Sequence, residues 1–463
     1  MEREVTLMEM LEARETRAGR QQELLDRHGC PVISFTLNIA GPVKNSPVIR
    51  RAFREGLLRL EDALTARGLR PLCQEETDRP TGCEALWVVP GPVRAIKELC
   101  IQLEDQDALG RLFDLDVLDP EGGKWDREAF GLPPRPCLVC GKAGKGCASR
   151  RLHSVEELQA RTQGILRDFF ARQDRKFLAG QGARALLYEV CTTPKPGLVD
   201  RHNNGSHRDM DLFTFLDSTA SLLPYLERAA AIGQETAHLP PEETLSPLRD
   251  AGLAAERAMF AATGGVNTHK GAIFSLGCVL GAAGRLWTPE GPCRDPERIL
   301  SECGRMAGPA AERFFASLTP ETARTAGERL YLEAGLRGVR GEAAEGFPSV
   351  LQIGLPALRA ALEQGASLEQ AGVAALLALT AGTVDTNLIA RGGREGQRWA
   401  AQQAGELLAG GPSPDLEAVR ELDRRMIQKN LSPGGCADLL AIVYFFHFLS
   451  QDEDRAPETP VSG

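Results

Sequence analysis

The sixteen residues from Lys195 to Met210 concentrate a lysine, imidazoles, amides and the acids Asp200 and Asp209 directly after an apolar helical run, Arg184 to Val190. Pro194 and Pro196 lack amide hydrogens and restrain the residues before them, so Lys195 sits on an extended corner. Gly197 and Gly205 let the backbone approach a ligand closely. Such a loop suits a polyphosphate: Lys195 supplies positive charge, while Asp200 and Asp209 offer oxygen ligands to Mg2+. In a plainer reading the two acids cap the helix whose apolar face begins at Leu212.

A second pair of acids lies in Arg111-Leu-Phe-Asp-Leu-Asp116-Val117. Alternation in a strand projects Asp114 and Asp116 from one face while Phe113, Leu115 and Val117 fill the other. Adjacent carboxylates repel unless a cation intervenes, and metal-assisted phosphoryl or nucleotidyl transfer uses that arrangement. A strand with one wet face is the alternative. Lys44, in the loop Gly41 to Pro47 ahead of a helix, offers a phosphate a cation and free amide hydrogens. The series Cys137, Cys140, Cys147 and His153 is compatible with a structural Zn2+, or with a turn whose thiols are packed or exposed.

Four more clusters follow. Gly264 to Gly271 frames Asn267, His269 and Lys270 at a helix start suited to anions. Glu342 reads as a solvated acid. Asp385-Thr386-Asn387 lies inside an apolar helical pattern ahead of Arg391, and a buried carboxylate there needs a charge partner or a metal. Asp438 opens the apolar run to Leu449 as a first-turn charge favoured by the helix dipole, and His447 on that run reads as a core histidine.

The elements that must position these groups divide the chain. Its 463 residues exceed one ordinary core, so two domains are expected, with a boundary near residue 178. Residues 1–178 show an α/β pattern: an amphipathic helix over the first 30 residues, strands at Ile33–Ile39, Ala85–Val89 and Arg111–Leu118, and helices at Val48–Ala66, Val93–Leu103 and Val155–Leu178. Residues 179–450 read as all-α, including helices at Pro309–Leu318, Val350–Glu363, Leu368–Ile389 and Arg394–Leu408, and residues 451–463 as a disordered tail. The net charge of −9 argues against general nucleic-acid affinity. Twelve cysteines behind a charged Met1 to Val5 suggest reduced, cytoplasmic thiols, and Leu439–Leu449 is too short to span a membrane. Between Pro133 and Lys176, ten Lys or Arg face four Asp or Glu, which would steer an acidic partner there; a solvated linking helix accounts for the same charge.

Lys195-Pro-Gly-Leu-Val-Asp200, His207-x-Asp209-Met210, Gly265-Val-Asn-Thr-His-Lys270-Gly271, Asp385-Thr-Asn387 and Ser432-Pro-Gly-Gly-x-Ala-Asp438, in that order, resemble the triphosphoribosyl-dephospho-CoA synthase family. The first half, through Gly41-Pro-x-Lys44, Arg111 to Val117 and Cys137-x-x-Cys140, resembles holo-citrate lyase synthase, a nucleotidyltransferase. The resemblance implies a nucleotidyltransferase-like first domain and a two-step pathway. The helical half joins ATP to 3′-dephospho-CoA and releases adenine; the first half then transfers the phosphoribosyl-dephospho-CoA group to a serine of the citrate lyase acyl carrier protein (the gamma subunit), releasing pyrophosphate. It also suggests roles. Lys195 and Lys270 bind phosphates, with Asn203, Asn267, Asn387 and Arg391 at the substrate. Asp200, Asp209, Asp385 and Asp438 serve metal or base duty, and His207 and His269 remain candidate bases. Asp114 and Asp116 hold metal, opposed by Lys44 and Arg111 at the leaving pyrophosphate. Two other readings stay open: a Mg2+-dependent hydrolase of ADP-ribose-type linkages, and a protein with one half reduced to a carrier-binding module.

Overall fold

The computed structural model describes residues 3–142, 147 and 152–451, and divides into two compact units, Met1–Arg172 and Gln173–Gly463. The expected disordered tail, apart from residue 451, lies outside the described residues.

In the first unit, helix α1 (Leu7–His28) starts at a Thr6/Glu9 capping box and stops at Gly29, whose φ of 57° suits a residue without a side chain. Then come β1 (Val32–Leu37), α2 (Pro47–Ala66), β2 (Cys73–Arg79), β3 (Gly82–Val88), α3 (Val93–Asp105) and β4 (Phe113–Leu118). The strands form one antiparallel sheet in the order β2-β3-β1-β4. Both faces of β1 are covered. Leu24 and Leu25 of α1 pack with Val32, Leu86 and Val88, while Phe35 stacks on Phe53 of α2 at 4.8 Å and meets Phe113 edge-on at 5.4 Å. Gly56 makes that stacking possible, since a Cβ there would lie 2.3 Å from the Phe35 ring. Strand β2, Cys-Gln-Glu-Glu-Thr-Asp-Arg, is the element that sequence patterning misses: it is a polar edge strand, defined by its pairing with β3 rather than by apolar alternation.

Helix α4 (Val155–Cys191) contains the division at Arg172 and continues well past the expected end at Leu178. The second unit is mostly helical, with one isolated β-bridge, Thr288–Gly291, among the described residues. Its helices are α5 (Leu212–Thr236), α6 (Leu245–Ala262), α7 (Lys270–Arg285), α8 (Pro296–Ser317), α9 (Ala326–Ala334), α10 (Gly338–Ala344), α11 (Leu355–Glu363), α12 (Leu368–Gly382), α13 (Thr386–Leu408), α14 (Leu416–Gln428) and α15 (Gly434–Gln451).

Helices α5 and α7 cross at glycines: a Cβ on Gly233 would lie 2.0 Å from the Gly281 carbonyl, and one on Gly284 would lie 2.2 Å from that of Ala230. The apolar run of α15 from Leu439 to Phe446 is buried in this core, and His447 contacts Gln451 at 2.9 Å. The expected helix Leu368–Ile389 is in fact two, α12 and α13, bent by 59° at the break that holds Asp385. Among the described residues no single helix is long and apolar enough to cross a membrane.

Candidate active site

Loop 192–211 of the second unit is built by its own acids. Asp200 accepts backbone N–H groups from Lys195 at 3.0 Å, His202 at 2.6 Å and Asn203 at 2.9 Å. Asn203 donates to Asp423 at 2.8 Å, and Asp423 also accepts the Gly197 N–H at 2.8 Å. Gly197, at φ 74°, would place a Cβ 2.2 Å from the Leu431 carbonyl. The loop therefore docks on the segment before α15, where Ser206 donates to Leu431 at 2.7 Å and His207 Nε2 meets the Ser432 hydroxyl at 2.9 Å. Asp200 and Asn203 do not line the cavity described next; where Asp200 was expected to offer its oxygens to a metal, they accept three backbone N–H groups that shape the loop. Neither Asp200 nor Asp209 caps α5, a task taken by Asp211.

A cavity of about 780 Å³ gathers the other sequence-selected groups of this unit: Lys195, His207, Asp209, Asn267, His269, Lys270, Asp385, Asn387, Arg391 and Asp438. They come from the loop after α4 and from the starts of α7, α13 and α15, so the N-terminal ends of two long helices, α7 and α15, and of the short segment of α13 before its kink at Gly393 meet at one cavity, a setting that favours anions. The carboxylates already use part of that field. Asp385 caps α13 through the N–H groups of Asn387 and Leu388 and reaches the Cys436 N–H of α15 at 2.9 Å. Burial nevertheless raises its pKa. The expectation that Asp385 sits inside a helix and needs a charge partner is corrected: it stands at a helix break, satisfied by amides. Half-buried Asp438, on α15, accepts the Ala272 N–H of α7; burial and the charges of Glu189 and Asp385 push its pKa well up.

Lys195 is buried and pairs with Glu189, an acid that lines the same cavity. Sequence reading passed over Glu189, although an isolated acid in the apolar run Leu186 to Val190 is the signal that drew attention to Asp385. Lys270 is exposed and pairs with Glu256 at 3.0 Å. Arg391 donates to the Ser206 carbonyl and to Asn430, each at 3.0 Å. Glu342 corrects a further expectation: rather than being simply solvated, it lines the cavity, half-buried, and accepts the Ser349 N–H at 3.3 Å.

The contact between α7 and α15 leaves no room for a side chain at Gly271, where a Cβ would lie 1.9 Å from Asp438 Oδ2. Gly271→Ala is therefore expected to displace Asp438, lowering stability by about 1–3 kcal/mol and cutting turnover at the cavity. Denaturant melts and adenine release by the same preparation check both effects.

The two histidines differ. His207 is half-buried, and its pKa is lowered by desolvation and by Arg391. His269 is buried, its Nδ1 2.7 Å from the Ser218 hydroxyl, which itself accepts from Thr268. Its Nε2 is buried without a partner among the described residues, and burial lowers its pKa to about 3. His269 is thus neutral at physiological pH. The folded value lies below the ordinary 6.5, so its contribution to stability is full above pH 6.5 and is lost as the pH falls toward 3. Between pH 7 and pH 5 the stability advantage of the parent over His269→Gln should shrink by roughly 2 kcal/mol. An advantage that is independent of pH would contradict a buried neutral imidazole.

In the first unit, β4 buries Phe113, Leu115 and Val117 and turns Asp114, exposed, and Asp116, half-buried, to the other face, opposite Thr36 and Ser34 of β1. On the free edge of β4, the Leu115 N–H donates to buried Glu104 at 2.9 Å and its carbonyl accepts from buried Lys97 at 2.8 Å. These α3 side chains fix the backbone between the two aspartates and close the strand edge. Lys124, not singled out from the sequence, pairs with Asp116 at 2.7 Å. Lys44 donates to the Ile39 carbonyl and Arg111 to that of Pro136, so neither is spent on the aspartates, and Arg111 Nη1 is buried without a partner among the described residues. Cys137, Cys140, Cys147 and His153 form a cluster whose potential ligand atoms all lie within 4.8 Å of one another.

Comparison with known proteins gives each unit a counterpart. Residues 175–456 match the model of the family described as CitG, ATP:dephospho-CoA triphosphoribosyl transferase. Residues 5–169 match that of CitX, apo-citrate lyase phosphoribosyl-dephospho-CoA transferase. Protein CitXG of Haemophilus influenzae is 38% identical over 459 residues, 96% of each chain. Protein CitXG of Leuconostoc mesenteroides subsp. cremoris is 35% identical over 461 residues, 95% of this chain and 96% of that one. The 2-(5''-triphosphoribosyl)-3'-dephosphocoenzyme-A synthase of Pectobacterium atrosepticum is 45% identical over 266 residues, 57% of this chain and 86% of that protein.

Proposed function

Because the chain belongs to the family of CitXG proteins, which carry a CitX and a CitG unit on one polypeptide, we propose a division of labour between its two units. The chain is a bifunctional transferase that makes and attaches the citrate lyase prosthetic group. Residues 179–450, an all-α domain, carry out the first step. A ribose hydroxyl of 3′-dephospho-CoA attacks C1′ of ATP, the bond to adenine breaks, and adenine leaves with the proton that the hydroxyl gives up. The convergence of Lys195, Lys270, His269, Asp385 and Asp438 on one cavity carries this reading.

Positive charge grows on the ribose as adenine departs, and the carboxylates around the cavity stabilise it. Lys270 and Arg391, with Asn267 and Asn387, bind the triphosphate and the substrate. Lys195 adds a buried positive charge while orienting Glu189. Neutral His269 acts as a hydrogen-bonding group toward the substrate: Thr268 donates to Ser218, Ser218 to Nδ1, and the Nε2 proton is left for the ligand. Base duty falls to His207, which desolvation and Arg391 hold in its neutral, proton-accepting form. The crowding of Glu189, Asp385 and Asp438 fits a hard divalent cation bound through oxygen, and Asp438 and Asp209 would hold Mg2+ there, with Asp385 behind them. Held by these residues, Mg2+ would neutralise phosphate charge.

Residues 1–178, the nucleotidyltransferase-like domain, carry out the second step. A serine hydroxyl of the acyl carrier protein, the gamma subunit of citrate lyase, attacks the α-phosphorus of the triphosphoribosyl group, a phosphodiester forms, and pyrophosphate leaves. Asp114 and Asp116 would hold Mg2+ here, while Lys44 and Arg111 counter the charge of the leaving group. The nucleotide substrates and twelve unpaired cysteines support a cytoplasmic location.

Adenine release tests the first step: the chain with ATP and Mg2+ should release adenine only when dephospho-CoA is present. Release at the same rate without it would instead support the hydrolase reading.

A further inference from the structure

The Cys and His cluster of the first unit lies outside both reaction schemes, and its details are those of a closed metal site. Cys137-Leu-Val-Cys140 turns through Gly141, whose φ of 70° suits glycine and whose N–H donates to the Cys137 carbonyl at 3.0 Å. Val139 and Cys140 direct backbone N–H groups at the Cys137 sulfur. The Cys140 and Cys147 sulfurs are 3.5 Å apart, close to the edge of about 3.8 Å for a tetrahedron with zinc–sulfur bonds of about 2.3 Å. His153 supplies the independent observation. Its Nε2 is buried without a partner among the described residues, while its Nδ1 lies 3.8 Å from the Glu157 carboxylate, the kind of partner that orients a metal-ligating imidazole.

We propose that Cys137, Cys140, Cys147 and His153 bind one structural Zn2+ that clips the arm beyond β4 onto the sheet beside Asp114 and Asp116. Three thiolates and an imidazole, with no fifth donor among the described residues, make a closed tetrahedral site rather than a catalytic one. The arm is anchored on either side of the cluster. Arg135 donates to the Phe113 carbonyl at 2.7 Å, Arg111 to that of Pro136 at 2.5 Å, and Arg161 of α4 to that of Leu138 at 3.3 Å. Zinc there fixes the chain that Arg111 grips from the start of β4 and from which Arg135 reaches back to the strand bearing the two aspartates.

The full chain, purified without added metal or chelator, should carry about one zinc per molecule by elemental mass spectrometry. A thiol-blocking mercurial should release that zinc to a chromogenic chelator. Cys140→Ser and His153→Ala should each hold less than about a tenth of it, Cys293→Ser should hold all of it, and all three should keep parental adenine release, which reports an intact second unit. A parent chain that neither contains zinc nor takes it up on titration would overturn the proposal. So would zinc that persists in both cluster variants, or a Cys140–Cys147 disulfide in the freshly purified chain.

Discussion

Lys195→Met should slow adenine release by about a thousandfold, while ready-made triphosphoribosyl-dephospho-CoA is still transferred to the carrier at the parental rate. Lys195 is 2% exposed and its partner Glu189 4%, so the ammonium is a cation held in place where Glu189 and Asp438 repel each other. Without it, Glu189 takes up a proton and the field that stabilises the ribose cation is lost. Breaking a buried pair from one side costs about 3–5 kcal/mol, so the double variant Glu189→Gln/Lys195→Met separates folding from chemistry. It should recover most of the stability and none of the adenine release. Near-parental release by the double variant would remove the pair from the mechanism.

Asp114→Asn should give the opposite pattern, with carrier modification down by about a hundred- to a thousandfold and adenine release unchanged. Asp114 is exposed on β4 and Asn has the same shape, so the substitution should leave stability within about 0.5 kcal/mol. Asp116→Asn additionally loses the Lys124 pair, an exposed contact worth about 0–1 kcal/mol. Loss of transfer in a folded chain therefore reports on charge at the strand. Unchanged transfer in both variants would indicate that the first unit delivers the carrier without catalysing.

Local pattern made part of this legible. The alternation of Phe113, Leu115 and Val117 with Asp114 and Asp116 is a two-residue period that any strand must obey, and β4 obeys it. Other features depend on partners distant in sequence. Strand β2 has no apolar face to announce it and exists through its ladder with β3. Asp385 looked helical because apolar periodicity runs through Leu376 to Ile389, and only the fold reveals that Thr383 to Asp385 breaks it and that a carboxylate is satisfied there by the amides of two helices. Asp200 drew attention for its type, yet its oxygens serve amides two to five residues away, a local use that composition cannot distinguish from metal binding. The pocket itself depends on helix packing, with glycines at Gly233, Gly271 and Gly284 chosen for contacts many residues distant.

The mass of the carrier tests the two-step chemistry most directly. After incubation of the full chain with ATP, Mg2+, 3′-dephospho-CoA and apo acyl carrier protein, intact-protein mass spectrometry should show the carrier heavier by one phosphoribosyl-dephospho-CoA group, with adenine and pyrophosphate released in equal amounts. A carrier of unchanged mass beside undiminished ATP would contradict it.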